Sequence, residues 1–164
     1  MLSQVKLFRQ KEVLEKLSIS PGTLQTFIKD GLIIPSKNPK GRGSTRFYNA
    51  ADMVMVRVIH LLARHGSSRG LVVSLCRFLN TKSAGKTYKD IIFDPHNIQA
   101  DDVVLLKMRR DKWEVYTSFA EDTRIDKKLI MANRPTVGEI VGEDDIILWI
   151  NINRIKQEVL HLMG

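Results

Sequence analysis

Two short apolar patterns near the start of the chain have the spacing of amphipathic helices. Their apolar positions lie three or four residues apart, at Val13, Leu14 and Leu17 in the first pattern and at Leu24, Phe27 and Ile28 in the second. Only Ser18 and Ile19 separate the patterns. Ser20 is a favourable N-cap and Pro21 suits the first helical position, so we expect the second helix to begin at Ser20 and to end at Gly31. The pattern predicts a helix-turn-helix.

The segment after the second helix has the pattern of a two-stranded wing. Its tip is rich in turn-forming residues, namely Asn38, Pro39, Gly41 and Gly43. Side chains alternate between the faces of a strand, which puts Arg46 and Tyr48 on one face of the returning strand and Phe47 on the other. We therefore expect a wing over residues 35–48, with Phe47 against the core and with Arg46 and Tyr48 facing outward.

Two further helices follow the wing. Asn49 can cap an almost continuous apolar helix over residues 50–64, and Gly66 separates this helix from another at about residues 67–79. The apolar third helix needs cover from an intrachain core, from the second half of the chain or from a partner chain. The predicted order is helix, turn, helix, wing, helix, helix.

This order resembles the DNA-binding domain of the mercury-resistance-regulator (MerR) family of winged-helix transcription factors. The resemblance rests on GTLQTF followed by DGLI, on Pro35, on TRFY in the wing and on the capped third helix. It covers about the first half of the chain and implies that Arg46 and Tyr48 contact the phosphate backbone of DNA. Where the family's recognition helix usually carries two arginines and two aromatic residues, this chain has Gly22, Gln25, Thr26 and Phe27.

Charge is distributed unevenly along the chain. Residues 1–80 carry thirteen Lys and Arg against four Asp and Glu, a net charge of +9. Residues 81–164 carry thirteen against fourteen, a net charge of −1, and together the halves give the overall +8. A basic helix-turn-helix half is the electrostatic footprint expected for binding a phosphate backbone.

The candidate DNA contacts lie at the start of the first helix, on the second helix and on the wing. They are Arg9, Gln10, Lys11, Ser20, Thr23, Gln25, Thr26, Lys29, Lys37, Lys40, Arg42, Arg46 and Tyr48. Gln25 can pair with N6 and N7 of adenine, and Thr26 can contact a thymine methyl group. The alternative is that these side chains, and the lysines above all, are simply solvated at an exposed surface.

The second half of the chain changes character. Residues 81–102 read as a polar linker with a short ordered piece around residues 91–93, and residues 103–164 as a small α+β domain. Apolar runs and alternation predict strands over residues 103–108, 113–119 and 146–150, with a hairpin turn at residues 109–112. Residues 121–134 are ambiguous. The predicted fold class is thus α+β, a winged helix-turn-helix followed by a small β-containing domain that ends in a helix.

Asn153 is the predicted cap of that final helix, whose apolar stripe is formed by Ile155, Val159 and Leu162. The MerR family has a long dimerising coiled coil after its fourth helix, and this chain has the polar linker instead. The stripe therefore either packs on its own sheet or pairs with a second copy to form a homodimer. An effector or a protein partner is a further possible ligand of residues 103–164.

Several function classes find no support in the sequence. No histidine, cysteine or serine pattern suggests a metal site or a nucleophile with its base, so we expect neither an enzyme nor a cofactor. Cys76 is expected to be a buried structural thiol. No apolar run reaches the roughly 18 to 20 residues of a membrane span, which favours the cytoplasm.

The sequence thus predicts a transcriptional regulator that binds double-stranded DNA. Its second helix, residues 20–30, enters the major groove and its wing grips the flanking backbone. Two other classes stay open: an architectural accessory protein of the excisionase type, which bends DNA during recombination, and a protein-interaction module.

Overall fold

A computed structural model of the chain describes residues 6–41, 44–83, 85–96, 104–109, 112–117, 146–150 and 152–164. The chain divides into two compact units. The first unit contains residues 1–96 together with residues 155–164, and the second contains residues 97–154. This division differs from the predicted ranges 1–80, 81–102 and 103–164, because most of the C-terminal helix belongs to the first unit.

The helix-turn-helix has the predicted form. Helix α1 spans Gln10–Leu17 and helix α2 spans Pro21–Lys29. Ser18 reverses the chain between them with a φ of 51°, in the left-handed region that non-glycine residues seldom adopt. Ile19 is buried and its N–H donates to the Leu14 carbonyl at 3.1 Å. The turn therefore fixes the angle between the helices through one strained residue and one buried side chain.

The wing is built on a small antiparallel sheet. Strand β1, Phe8–Arg9, pairs with strand β2, Phe47–Tyr48. On the other edge of β2, Phe47 and Lys37 exchange two backbone hydrogen bonds of 2.9 and 3.0 Å. The returning strand of the wing thus lies between its own outgoing segment and β1, a strand that the sequence analysis did not predict.

Helices α3 and α4 contribute many of the buried apolar residues. Helix α3 spans Ala50–Arg64, as predicted, and α4 spans Arg69–Leu79 after its cap Ser68. The apolar residues of α3 are almost fully buried within the chain, namely Met53, Val54, Met55, Val56, Val58 and Ile59. Cys76 on α4 is buried, as predicted, and burial raises the pKa of its thiol to about 12. An intrachain core, not a partner chain, therefore covers α3.

The segment predicted to be a linker is structured over most of its first part. A hairpin of strands β3, Lys82–Ser83, and β4, Lys86–Thr87, leads into the short helix α5, Tyr88–Ile92. Buried Ile92 and Phe93 match the ordered piece expected around residues 91–93. The ring of Tyr88 stacks on that of Phe78, with centroids 4.9 Å apart. Residues 81–96 therefore extend the first unit beyond α4.

The last helix, α6, spans Ile152–Met163 and thus begins one residue before its predicted cap Asn153. Its residues from 155 onward belong to the first unit. Ile155 and Val159 are buried within the chain, whereas Leu162 is half-buried. The stripe that was predicted either to pair with a second copy or to cover its own sheet is therefore used to close the first unit.

Polar contacts hold α6 at three points. Lys6 Nζ donates to the Met163 carbonyl at 2.8 Å, and Lys16 Nζ donates to the Leu162 carbonyl. Arg57 of α3 forms an ion pair of 2.8 Å with Glu158. The two lysines satisfy carbonyls that a helix leaves unbonded at its C-terminus, where the helix dipole favours positive charge.

The second unit contains a three-stranded antiparallel sheet. Its strands are β5, Val104–Arg109, β6, Lys112–Thr117, and β7, Ile146–Ile150, in the order β6-β5-β7. Arg109 is paired with Lys112, which agrees with the predicted hairpin. The predicted strands are thus confirmed to within one or two residues. The ambiguous residues 121–134 lie outside the described residues.

Candidate nucleic-acid interface

Helix α2 presents a polar face beyond its buried apolar stripe. Leu24 and Phe27 are buried, while Gln25, Thr26 and Lys29 are exposed. The exposed side chains are the ones predicted to read bases or to contact phosphate. The apolar spacing of α2 therefore turns the polar residues of this candidate recognition helix toward solvent, as the sequence predicts.

Hydrogen bonds at the start of α2 hold its polar residues in defined positions. The Ser20 side chain accepts the N–H of Thr23 at 3.1 Å, and the two hydroxyl oxygens lie 2.8 Å apart. The Thr26 hydroxyl donates to the Gly22 carbonyl at 2.9 Å. Because the hydroxyl hydrogen is engaged within the helix, Thr26 offers a base its methyl group and the lone pairs of its hydroxyl oxygen.

Arg46 connects the wing to α2. Its Nη1 donates to Gln25 Oε1 at 3.1 Å, and its Nε donates to Asn38 Oδ1 at 3.1 Å. The backbone carbonyl of Arg46 also accepts the N–H of Gln10, at 3.2 Å. One wing residue therefore brings together all three groups of candidate contacts, from the start of α1, from α2 and from the wing.

The tip of the wing carries exposed positive charge on a tight turn. Lys37 and Lys40 are exposed. The hydroxyl of Ser44 lies 2.8 Å from the carbonyl oxygens of both Pro39 and Gly41, which closes the turn. Arg42, also predicted to contact DNA, lies outside the described residues.

The start of α1 contributes two exposed cations. Arg9 caps α1 from an extended conformation, and its N–H donates to Glu12 at 2.6 Å. Lys11 lies 3.8 Å from Glu15 in an ion pair whose members are both largely exposed. Such exposed pairs contribute little to stability. The side chains of Arg9 and Lys11 are therefore accessible to a ligand.

Tyr48 does not face outward as predicted. It is fully buried, and its hydroxyl finds no hydrogen-bond partner within the described residues. Burial raises the pKa of the hydroxyl to about 12, outweighing the opposite effect of nearby Arg46. The physical reason is its place before the cap Asn49, a position from which an apolar residue commonly packs against the first turn of the following helix. Its half-buried neighbour Phe47 is the more accessible of the two.

A buried polar cluster beneath the wing is a feature that the sequence analysis missed. The carboxylate of Asp52 in α3 is buried and accepts hydrogen bonds from the N–H and hydroxyl of Ser36 and from the N–H of Asn49. It also pairs with the buried ammonium of Lys89 in α5. The Asn49-x-x-Asp52 spacing signals the reciprocal cap of α3, but nothing in it signals the pairing with Lys89.

A second missed contact fixes the far end of helix α2. Arg69, at the start of α4, forms an ion pair of 2.9 Å with Asp30, which follows α2. The Asp30 side chain is largely buried, whereas that of Arg69 is mostly exposed. Helix α2 is thus held by its cap at one end and by an ion pair at the other.

No helix within the described part of the chain is both long and apolar enough to cross a membrane. A search of curated proteins found no match to this chain. Residues 8–77 match the family of MerR HTH family regulatory proteins. The matched residues run from β1 into α4 and so include α2, the wing and Arg46. The N-terminal part of this chain is therefore a MerR-family helix-turn-helix domain.

Proposed function

We propose that this protein is a sequence-specific transcriptional regulator that binds double-stranded DNA through α2 and the wing. Helix α2 enters the major groove, and the wing follows the adjacent phosphate backbone. The observation that carries the proposal is the arrangement around Arg46, which joins the exposed polar face of α2 to the basic wing inside a MerR-family domain. The +9 charge of residues 1–80 supports the same assignment.

The interface residues divide into two roles. Gln25 and Thr26 lie on the exposed face of α2 and are our candidates for base contacts, because a helix in the major groove presents such side chains to base edges. The exposed cations serve as phosphate contacts, and they are Arg9, Lys11, Lys29, Lys37 and Lys40. Ser20 and Thr23 hold the start of α2, and Gln10 anchors the wing. Tyr48 supports the wing from the core rather than from the surface.

The partner of the second unit is a separate part of the proposal. Residues 97–154 are inserted between residues 96 and 155 of the first unit. An effector or a protein bound to them is therefore connected to the DNA-binding unit at two points of the chain. Homodimerisation stays a prediction. A homodimer would have to use a surface other than the α6 stripe, because Val159 is already buried within one chain.

Salt-dependent binding of the full chain to duplex DNA tests the proposal. If about six phosphates are neutralised, the logarithm of the binding constant should fall with the logarithm of the salt concentration with a slope near −5. Lys37→Ala and Lys40→Ala should each reduce that slope by about 0.9. Lys86→Ala, at an equally exposed lysine outside the proposed interface, is the matched control and should leave it unchanged. A chain that does not bind duplex DNA at low salt would overturn the proposal.

A further inference from the structure

The hydrogen bond between Arg46 and Gln25 dictates how the Gln25 amide is oriented. An arginine side chain offers only donors, so the Gln25 atom that faces it must be the oxygen. Arg46 Nη1 lies 3.1 Å from that oxygen. The nitrogen of the amide, with its two hydrogens, is then the end left free for a ligand.

This orientation bears directly on which base Gln25 can read. Pairing with adenine uses the amide oxygen as the acceptor for N6 and the amide nitrogen as the donor to N7. The Arg46 bond occupies one of the two lone pairs of the Gln25 oxygen, so the end of the amide that faces away from Arg46 is the donor. Guanine offers two acceptors, O6 and N7, on the same edge. The contact with adenine that the sequence suggests therefore has to share the Gln25 oxygen between two donors, Arg46 and N6, whereas a contact with guanine uses the amide nitrogen alone and leaves the Arg46 bond undisturbed.

We propose that Arg46 is a positioning residue that determines sequence specificity: it holds the oxygen of Gln25, so that Gln25 selects guanine at the base pair it contacts. The inference rests on the proposed function and adds to it the identity of a base and the residue that selects it. Arg46 acts here through Gln25. The donors that it does not use toward Gln25 and Asn38 are available for a phosphate.

The position of Arg46 is itself fixed from three directions. Its Nε donates to Asn38, its carbonyl accepts from Gln10, and its neighbour Phe47 is paired with Lys37 across the wing. Arg46 as a whole is half-buried, which limits its freedom further. A side chain that is restrained at both its backbone and its head group pre-orients Gln25 before DNA is bound, and such pre-orientation improves discrimination because less ordering is needed on binding.

Selection of bound sequences from a random duplex library tests the inference. Wild-type protein should select guanine at one base pair, and Gln25→Ala should remove the preference there by a factor of about 5 to 150, the discrimination of a good side-chain contact to a base. Arg46→Lys keeps the positive charge but lacks the rigid fork that holds the amide, so it should weaken the preference at that same base pair. Lys40→Ala, an exposed wing cation without a bond to Gln25, should lower affinity for all sequences and leave the preference intact.

A second variant tests the inference without altering Arg46. Gln25→Glu retains the pairing with Arg46 as a charged pair but presents only acceptors, so its preference should move from guanine to cytosine, whose N4 is a donor. Circular dichroism of each variant checks that the fold is intact, and since Gln25 is exposed the Gln25→Glu variant should fold normally.

The possible outcomes separate the inference from the function on which it rests. Wild-type protein that selects no motif refutes the proposed function. A wild-type motif that Arg46→Lys and Gln25→Glu both leave unchanged overturns the inference alone, as does an adenine at the base pair that Gln25→Ala affects.

Discussion

The proposed DNA-binding surface around Arg46, called here the recognition surface, and the contact between α6 and the rest of the first unit are held together in different ways. Around Arg46, exposed or half-buried polar side chains bond to one another, with Gln25 and Asn38 as acceptors. At α6, by contrast, a buried apolar stripe is combined with two lysine caps and an ion pair. Exposed polar bonds contribute little to stability and exchange readily for bonds to a ligand, whereas buried apolar contacts do not.

The difference indicates that stability and recognition are assigned to separate parts of one small unit. Residues of the recognition surface can be changed at little cost in folding. The buried residues of α6 contribute to the fold and lie outside the proposed interface. Substitutions should therefore affect one property or the other, and the buried cluster around Asp52 should be the exception because it joins the wing to α5.

The largest expected effect comes from placing a charge in the α6 stripe. Val159→Asp buries a carboxylate at a fully buried position, and we expect a loss of about 4 kcal/mol or more in the free energy of unfolding. Urea denaturation followed by circular dichroism measures it. Gln157→Asp, on the exposed side of the same helix, is the matched control and should change stability by no more than about 0.5 kcal/mol.

The opposite result would restore the idea that α6 pairs with a second copy. If Val159→Asp left stability unchanged and instead converted a dimer to a monomer in sedimentation analysis, the stripe would be a dimer surface rather than a part of the core of the first unit.

Asp52→Ala should be the next largest effect and should act on both properties. It removes the close carboxylate of a buried ion pair, which typically costs about 3 to 5 kcal/mol, and leaves the ammonium of Lys89 with the more exposed Asp90 carboxylate, 3.8 Å away, as its weaker partner. It also removes the acceptor for Ser36 at the base of the wing, so affinity for DNA should fall as well. Adding Lys89→Met should restore part of the stability but not the affinity. Full retention of affinity in Asp52→Ala would show that the wing does not depend on this cluster.

The smallest effect is expected at two helix caps of the same chemistry, one on α2 and one on α4. Ser20 caps α2 and Ser68 caps α4, each by accepting a backbone N–H. Replacing either with alanine should cost about 1 kcal/mol of stability. Only Ser20→Ala should also weaken DNA binding, since only α2 is proposed to enter the groove. Equal losses of affinity in both variants would mean that recognition depends on overall stability rather than on α2.

The features that sequence analysis predicted well are governed by local interactions. Ser20, Asn49 and the spacing of apolar residues define where α2 and α3 begin and which faces they bury, because caps and amphipathic stripes act within one or two turns. The apolar run of β5 and the alternation in β6 were equally informative. The exposure of Gln25, Thr26 and Lys29 on α2 follows from the same spacing, whereas their contact with DNA stays a prediction.

What was missed depends on contacts between residues far apart in sequence. Strand β1 has only two residues and exists because β2 offers it an edge. Lys89 is buried because it meets Asp52, thirty-seven residues away. The prediction that Tyr48 faces outward was wrong because β2 has only two residues. Alternation along so short a strand does not determine the orientation of Tyr48 before the chain enters α3. The bond between Arg46 and Gln25 likewise joins residues that no local pattern relates.

The closure of the first unit by α6 has a consequence for the order in which the protein is made. The ribosome must synthesise all of residues 97–154 before α6 can emerge, which at about 5 to 20 residues per second takes several seconds. During that interval the apolar surface that Ile155 and Val159 will cover stays open to water. A nascent chain whose first unit is waiting for its closing helix therefore exposes apolar surface, and the first unit should reach its full stability only once α6 has been synthesised.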